Sequence, residues 1–208
     1  MSEPGRPLIV AIDGPSASGK GTVASRVAQA LGFHYLDSGA IYRVRAVAVA
    51  NAGLNPDFPA DLQKIIPMAS SLPAQFRGER VLLAGTDVSE AIRTEEAGGM
   101  ASRLAVVPEV RTGLLQRQRD FRQSPGLVAD GRDMGSVVFP DSALKVFLTA
   151  SAQVRAERRV KQIEGRGQKA DFQKMYFSER IQTFKNFFNW NGHLTKGNVQ
   201  EKCQYQCQ

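Results

Sequence analysis

The sequence predicts an α/β fold in which a parallel sheet is flanked by helices and carries a small antiparallel insert. Three observations point there. Residues 8–12, 127–129 and 144–148 are short apolar runs rich in β-branched residues, too brief for helices and patterned like strands buried on both faces. Stretches with apolar residues at helical spacing separate them. Residues 74–77, 80–83 and 86–88 are β-like fragments with Gly78 and Gly85 as turns between them, which suits an antiparallel sheet.

A chain of 208 residues is long enough for one well-packed domain. The expected organisation is a single domain over 1–208, with a substrate-side insert at 51–93 and an atypical tail at 173–208. Hydrophobic content of 42% and charged content of 23% describe an ordinary globule. The apolar runs fall far short of the roughly 20 residues a bilayer needs, and the N-terminus lacks a signal-peptide core, so a cytoplasmic protein without membrane contact is expected. The net charge of +7, from 27 basic and 20 acidic residues, suits anionic ligands. With no basic block interleaved with aromatics, small phosphate compounds are favoured over nucleic acid.

The first strand, 8–12, runs into Gly14-Pro15-Ser16-Ala17-Ser18-Gly19-Lys20-Gly21-Thr22, and Val23, Val27, Ala30 and Leu31 then recur at helical spacing until Gly32. A glycine-rich turn between strand and helix aims backbone N–H groups and the positive end of the helix at one small volume, which fits a polyphosphate. Lys20 adds a flexible cation able to reach β- and γ-phosphates, while Gly14, Gly19 and Gly21 let the backbone approach closely. The spacing Gly-x4-Gly-Lys is that of a P-loop. Gly21 stands where many P-loops have Ser or Thr, so Mg²⁺ is expected to be held by nucleotide phosphates, water and a carboxylate elsewhere. The Gly-Lys-Gly-Thr form resembles nucleoside monophosphate kinases more than GTPases.

Residues 33–37 read as a second strand and Ile41, Tyr42, Val44, Val47 and Val49 as the helix after it, with Ser38 as its cap. Arg43, in the first turns, is a candidate for phosphate recognition, because ligands of open α/β sheets bind at the carboxyl ends of strands. Beyond a short helix at 60–71 and the β-like fragments, a helical region runs from about 94 to 122 with a break at Pro108. Of its polar members, most arginines suit a wet face; Ser102 and Arg111 would serve a pocket only if the helices border one.

The strand at 127–129 delivers Asp130-Gly131-Arg132-Asp133 at its carboxyl end. Charges packed around a buried strand end need partners, which marks a site. After the strand at 144–148, Ser151 caps a helix bearing Arg155, Arg158, Arg159 and Lys161, cations for a phosphate chain or for solvent. Cys203, Cys207 and His193 match no zinc spacing and are taken as incidental.

The P-loop, then Leu36-Asp37-Ser38-Gly39-Ala40-Ile41-Tyr42-Arg43, then Ala129 through Pro140 with Asp130-Gly131-Arg132-Asp133-Met134-Gly135 at its start, together resemble bacterial cytidylate kinases over residues 8 to about 172. The resemblance implies a P-loop kinase fold in which ATP donates its γ-phosphate to CMP or dCMP with Mg²⁺. It implies catalytic roles for Lys20 and Arg132, ATP contacts from the loop Gly14–Thr22 and from Arg158, and CMP contacts from Ser38, Arg43, Ser102, Arg111, Arg132 and Asp133. Asp130 would hold Mg²⁺ through water, with no direct protein ligand, and the chain would act as a monomer.

After Phe172 the family's lid, last strand and final helix are not legible. Residues 173–208 contain no Ala, no Asp and one arginine, Arg180, and include Phe187-Phe188-Asn189-Trp190. This composition suggests a reading-frame change or a diverged terminus, helix-like over 175–188, with the C-terminal strand and lid altered or missing and one sheet edge bare. Two other readings therefore stand beside (d)CMP phosphorylation: another small-acceptor P-loop kinase, and a nucleotide-binding remnant with impaired or no catalysis.

Overall fold

The computed structural model describes residues 6–77, 80–165, 167 and 169–181, and the backbone of Cys203–Cys207. In chain order the elements are β1 (Leu8–Asp13), α1 (Lys20–Leu31), β2 (His34–Asp37), α2 (Ser38–Asn51), α3 (Pro59–Ser70), β3 (Ala74–Arg77), β4 (Arg80–Leu83) and β5 (Thr86–Asp87). There follow a 3₁₀ turn (Ala91–Arg93), α4 (Glu95–Leu104), α5 (Pro108–Arg119), β6 (Gly126–Gly131), a π-turn (Met134–Val138), β7 (Leu144–Ala150) and α6 (Ala152–Glu164). Residues 172–181 are helical (α7), and β8 (Cys203–Cys207) is the last strand. The chain divides into two compact units, one of residues 1–36 with 122–208 and one of residues 37–121.

The first unit is built on a five-stranded sheet in the order β2-β6-β1-β7-β8. β1 runs parallel to both β6 and β7, in the registers Ile9↔Leu127, Ala11↔Ala129, Asp13↔Gly131 and Ile12↔Val146. As the sequence pattern requires of a central parallel strand, β6 is buried along its whole length. Ala24 and Ala28, one turn apart on α1, let that helix lie close on the sheet, packed with Ile12, Val128 and Leu148. The register brings β1 and β6 to an end side by side, so the chain leaves both at one rim of the sheet. β6 extends past the expected 127–129 to include Asp130 and Gly131, and β7 reaches Ala150 rather than Leu148.

The bare sheet edge expected from the tail is not found. β8 runs parallel to β7 from Val146↔Cys203 to Ala150↔Cys207, so backbone pairing closes that edge even though the residues of the strand are unlike those around it. The ladder is made by main-chain groups, which any non-proline residue supplies. Of the helix expected at 175–188, residues 175–181 are helical and the remainder lies outside the described residues, as does His193.

In the unit of residues 37–121, β3, β4 and β5 form the expected antiparallel sheet, paired Ala74↔Leu83 and Leu82↔Asp87. Helix α2 is capped by Asp37, not by Ser38: Asp37 has extended backbone angles and its Oδ1 accepts from Ala40 N at 3.0 Å, while Ser38 is already helical. The long helical region is divided at Val107-Pro108, where proline occupies the first turn of α5, and Thr94 caps α4 by accepting from Ala97 N. Arg45, hidden among apolar neighbours in the sequence, is 1% exposed and donates to the carbonyls of Ile65 and Met68 near the end of α3. Burial lowers its guanidinium to about 10.

Candidate active site

The loop between β1 and α1 takes its shape from close contacts that glycine alone permits. A Cβ on Gly14 would lie 2.0 Å from the carbonyl oxygen of Leu148, and Gly14 N donates to Gly131 O at 3.2 Å, which ties the loop to the end of β6. Gly19 has φ 93°, a left-handed conformation that starts α1 without a side-chain cap. The first-turn N–H groups and the positive helix end are thus left to an anion. Ala17, at φ 55°, holds a left-handed conformation despite its Cβ, a strained position in the middle of the loop.

Lys20 Nζ lies 3.5 Å from Asp130 Oδ1, and Tyr35 donates to Asp130 Oδ2 at 3.3 Å. The Asp130 side chain is 5% exposed and that of Lys20 is 19% exposed. A Cβ on Gly21 would come within 3.1 Å of Asp130 Oδ2. The missing hydroxyl of this P-loop and the carboxylate at the tip of β6 are therefore one arrangement: a Ser or Thr at position 21 would press on Asp130. A single hard oxygen donor beside the loop suits Mg²⁺ held mainly by phosphates and water. Among the described residues no group of three or more His, Cys, Asp or Glu side chains is placed to hold a metal.

Arg132, exposed beyond β6, donates from Nη2 to Ser16 Oγ at 3.0 Å, so it meets the loop directly. Asp133 follows, half-buried, and opens the π-turn without capping it. Asp13, which the sequence reading passed over, does the capping instead: its Oδ1 accepts from Met134 N at 2.8 Å and its Oδ2 from Gly135 N at 2.9 Å. Burial pushes its carboxyl up to about 7, against those two bonds, and Asp133 and Asp130 add to the rise. Its signal in the sequence is an acid at the end of a buried strand, as for Asp130.

Helix α6 braces the loop. Arg158 Nη1 donates to the carbonyls of Ala17 at 3.4 Å and Ser18 at 3.1 Å, so its guanidinium is engaged with the loop's backbone. Arg155 is fully buried; it donates to Ala150 O at 3.1 Å and Ser16 O at 3.5 Å and pairs with Glu179 of α7. Burial pushes the Glu179 carboxyl up, while Arg155, Arg159, Arg132 and Lys20 pull it down.

Lys20, the loop residues, Asp130, Arg132, Asp133 and Arg158 thus belong to one unit. Ser38, Arg43, Ser102 and Arg111 belong to the other. There Ser38 is buried and donates to Gln118 Oε1 at 2.9 Å, and Arg43 is half-buried on α2. Ser102, exposed on α4, donates to Gly98 O at 3.0 Å, and Arg111 on α5 to Ala105 O at 3.3 Å.

The sequence profile of the family "Cytidylate kinase" matches residues 10–182. The cytidylate kinase of Neisseria meningitidis serogroup C is 57% identical over 158 residues, which cover 76% of this chain and 71% of that one. That of Colwellia psychrerythraea is 56% identical over 164 residues, with 76% and 71% covered. That of Edwardsiella ictaluri is 49% identical over 182 residues, with 86% and 80% covered. The family match runs past Phe172, where the sequence reading ended the resemblance, through the helix that carries Glu179.

Proposed function

The chain belongs to the cytidylate kinase family, and from that premise we propose that it transfers the γ-phosphate of ATP to CMP and dCMP, giving CDP and dCDP. One observation carries the reading in the structure: Arg132, at the strand end that would receive the acceptor, is hydrogen-bonded at 3.0 Å to Ser16 of the loop that would hold the donor. A guanidinium so placed can neutralise charge on the transferred group from the acceptor side while Lys20 does so from the donor side. Neither forms a covalent intermediate. Their work is alignment and charge stabilisation.

The loop Gly14–Thr22 would bind the ATP phosphates through its backbone N–H groups, with Arg158 holding the loop's carbonyls so that the amides stay in place. Asp130 would hold Mg²⁺ through water and orient Lys20. When bound, the ion supplies charge neutralisation across the β- and γ-phosphates. Asp133 would accept from the cytosine amino group; uracil offers an oxygen there, an acceptor against an acceptor that costs about 1–3 kcal/mol. Ser38, Arg43, Ser102 and Arg111 are assigned to CMP on the family resemblance. We take the enzyme to act as a monomer in the cytoplasm. Among the described residues no helix is long and apolar enough to cross a membrane. Nothing favours a remnant without catalysis.

An acceptor panel tests the reading. With ATP and Mg²⁺, ADP release should depend on CMP or dCMP and be slower by about 10–100-fold in kcat/KM with UMP. Equal rates with CMP, UMP and AMP would contradict it.

A further inference from the structure

The π-turn Met134–Val138 begins directly after Arg132 and Asp133, and it has no side-chain cap of its own. Its first backbone donors need acceptors, because Met134 and Gly135 are buried. Both acceptors come from Asp13, a residue more than a hundred positions earlier in the chain and 1% exposed. Asp13 also ends β1 and opens the phosphate loop, and it lies opposite Gly131 in the β1–β6 register. Gly14 N donates to Gly131 O, so the two segments are tied on both sides of Arg132: by a main-chain bond before it and by the Asp13 carboxyl after it.

We propose that Asp13 is a positioning residue for phosphoryl transfer, fixing the Arg132–Asp133 turn against the phosphate loop by gripping the Met134 and Gly135 amides. The proposal rests on the reading of Arg132 and Asp133 as acceptor contacts. Position 13 requires an oxygen facing each of the two amides, which a carboxyl supplies whether ionised or protonated. Asparagine would offer one and turn its amino group toward the second amide, donor against donor. Glutamate would carry an extra methylene into a site that is 1% exposed. The charged groups that act on Asp13 are Asp130, in β6, and Asp133, just after it.

The test pairs Asp13→Asn with Asp13→Ala in the full-length chain and reads two quantities. Amide hydrogen exchange at Met134 and Gly135 should quicken by about 100-fold or more in Asp13→Asn, while Ala11 and Val128 in the central strands keep their wild-type rates. In steady-state kinetics KM for CMP should rise 10-fold or more, with KM for ATP within 3-fold of wild type. Asp13→Ala should follow the same pattern more strongly where it folds; Asp13→Asn decides the matter where it does not. Unchanged exchange at both amides, or an equal loss toward both nucleotides, overturns the proposal. A wild-type chain that fails to use CMP while both amides still respond would remove the acceptor reading and leave the anchor standing.

Discussion

Lys20 Nζ stands 3.5 Å from Asp130 Oδ1 at the tip of the central strand β6. The loop's cation is thus held by a nearly buried carboxylate before any phosphate arrives. On the proposed function, a triphosphate entering the loop would meet an ammonium already aimed and a carboxylate placed to order water around Mg²⁺. Asp130→Asn should lower kcat and raise the Mg²⁺ concentration for half-maximal activity, each by about 10–100-fold, as for residues that orient a metal's water shell. A Mg²⁺ titration of the variant checks this; an unchanged Mg²⁺ requirement would remove Asp130 from the ion.

Gly21 is set by the same carboxylate. A Cβ there would approach Asp130 Oδ2 to 3.1 Å and Tyr35 Oη to 3.6 Å. Gly21→Ala should cost about 1–3 kcal/mol of stability by overpacking and raise KM for ATP. Adding the hydroxyl common in other P-loops, as Gly21→Ser, should not restore activity. Denaturant midpoints and ATP kinetics on both variants decide it.

Ala17 holds φ 55° with a Cβ in place. Ala17→Gly should therefore relieve about 1 kcal/mol of backbone strain, partly offset by the added freedom of the unfolded chain. The expected result is a denaturant midpoint equal to or above wild type, with transfer retained. A clear fall in midpoint would show that the methyl packs usefully.

Asp13 gives a pH signature of defined sign. Its folded-state pKa, pushed up to about 7 by burial, lies above the unfolded value of 3.8, so the native state binds more protons between the two. Its contribution to stability is full below about pH 4 and is lost as pH rises through 7. The stability difference between wild type and Asp13→Asn should shrink by on the order of 2 kcal/mol from pH 5 to pH 8. Urea unfolding at the two pH values measures it, and a constant difference would contradict the buried titration.

What the sequence revealed followed from local pattern. The strands β1, β6 and β7, the phosphate loop, the three-stranded insert and the break at Pro108 all rest on residues near one another in the chain, where apolar period and turn chemistry speak directly. What it hid depended on distant partners. Asp13 carries no local signal of its role, because its two hydrogen bonds reach across the chain to Met134 and Gly135. Arg45 was lost in an apolar helix because its acceptors lie on α3. Ser38 suits a cap by residue type, yet it is the preceding Asp37 that has the extended backbone a cap needs. That the Arg158 guanidinium braces the carbonyls of Ala17 and Ser18 likewise depends on a contact some 140 positions away in the chain. The tail misled for a related reason: composition at 173–208 departs from the rest, but a strand ladder depends on the backbone, and β8 pairs with β7.

The most direct test of the account is ATP-to-CMP phosphate transfer by wild type, Lys20→Ala and Arg132→Ala under identical conditions. With ATP alone wild type should release no ADP, and adding CMP or dCMP should start release. Lys20→Ala should lose transfer by on the order of 10³-fold or more, and Arg132→Ala should raise KM for CMP with KM for ATP little changed. ADP release that proceeds without CMP, or a Lys20→Ala variant as active as wild type, would contradict it.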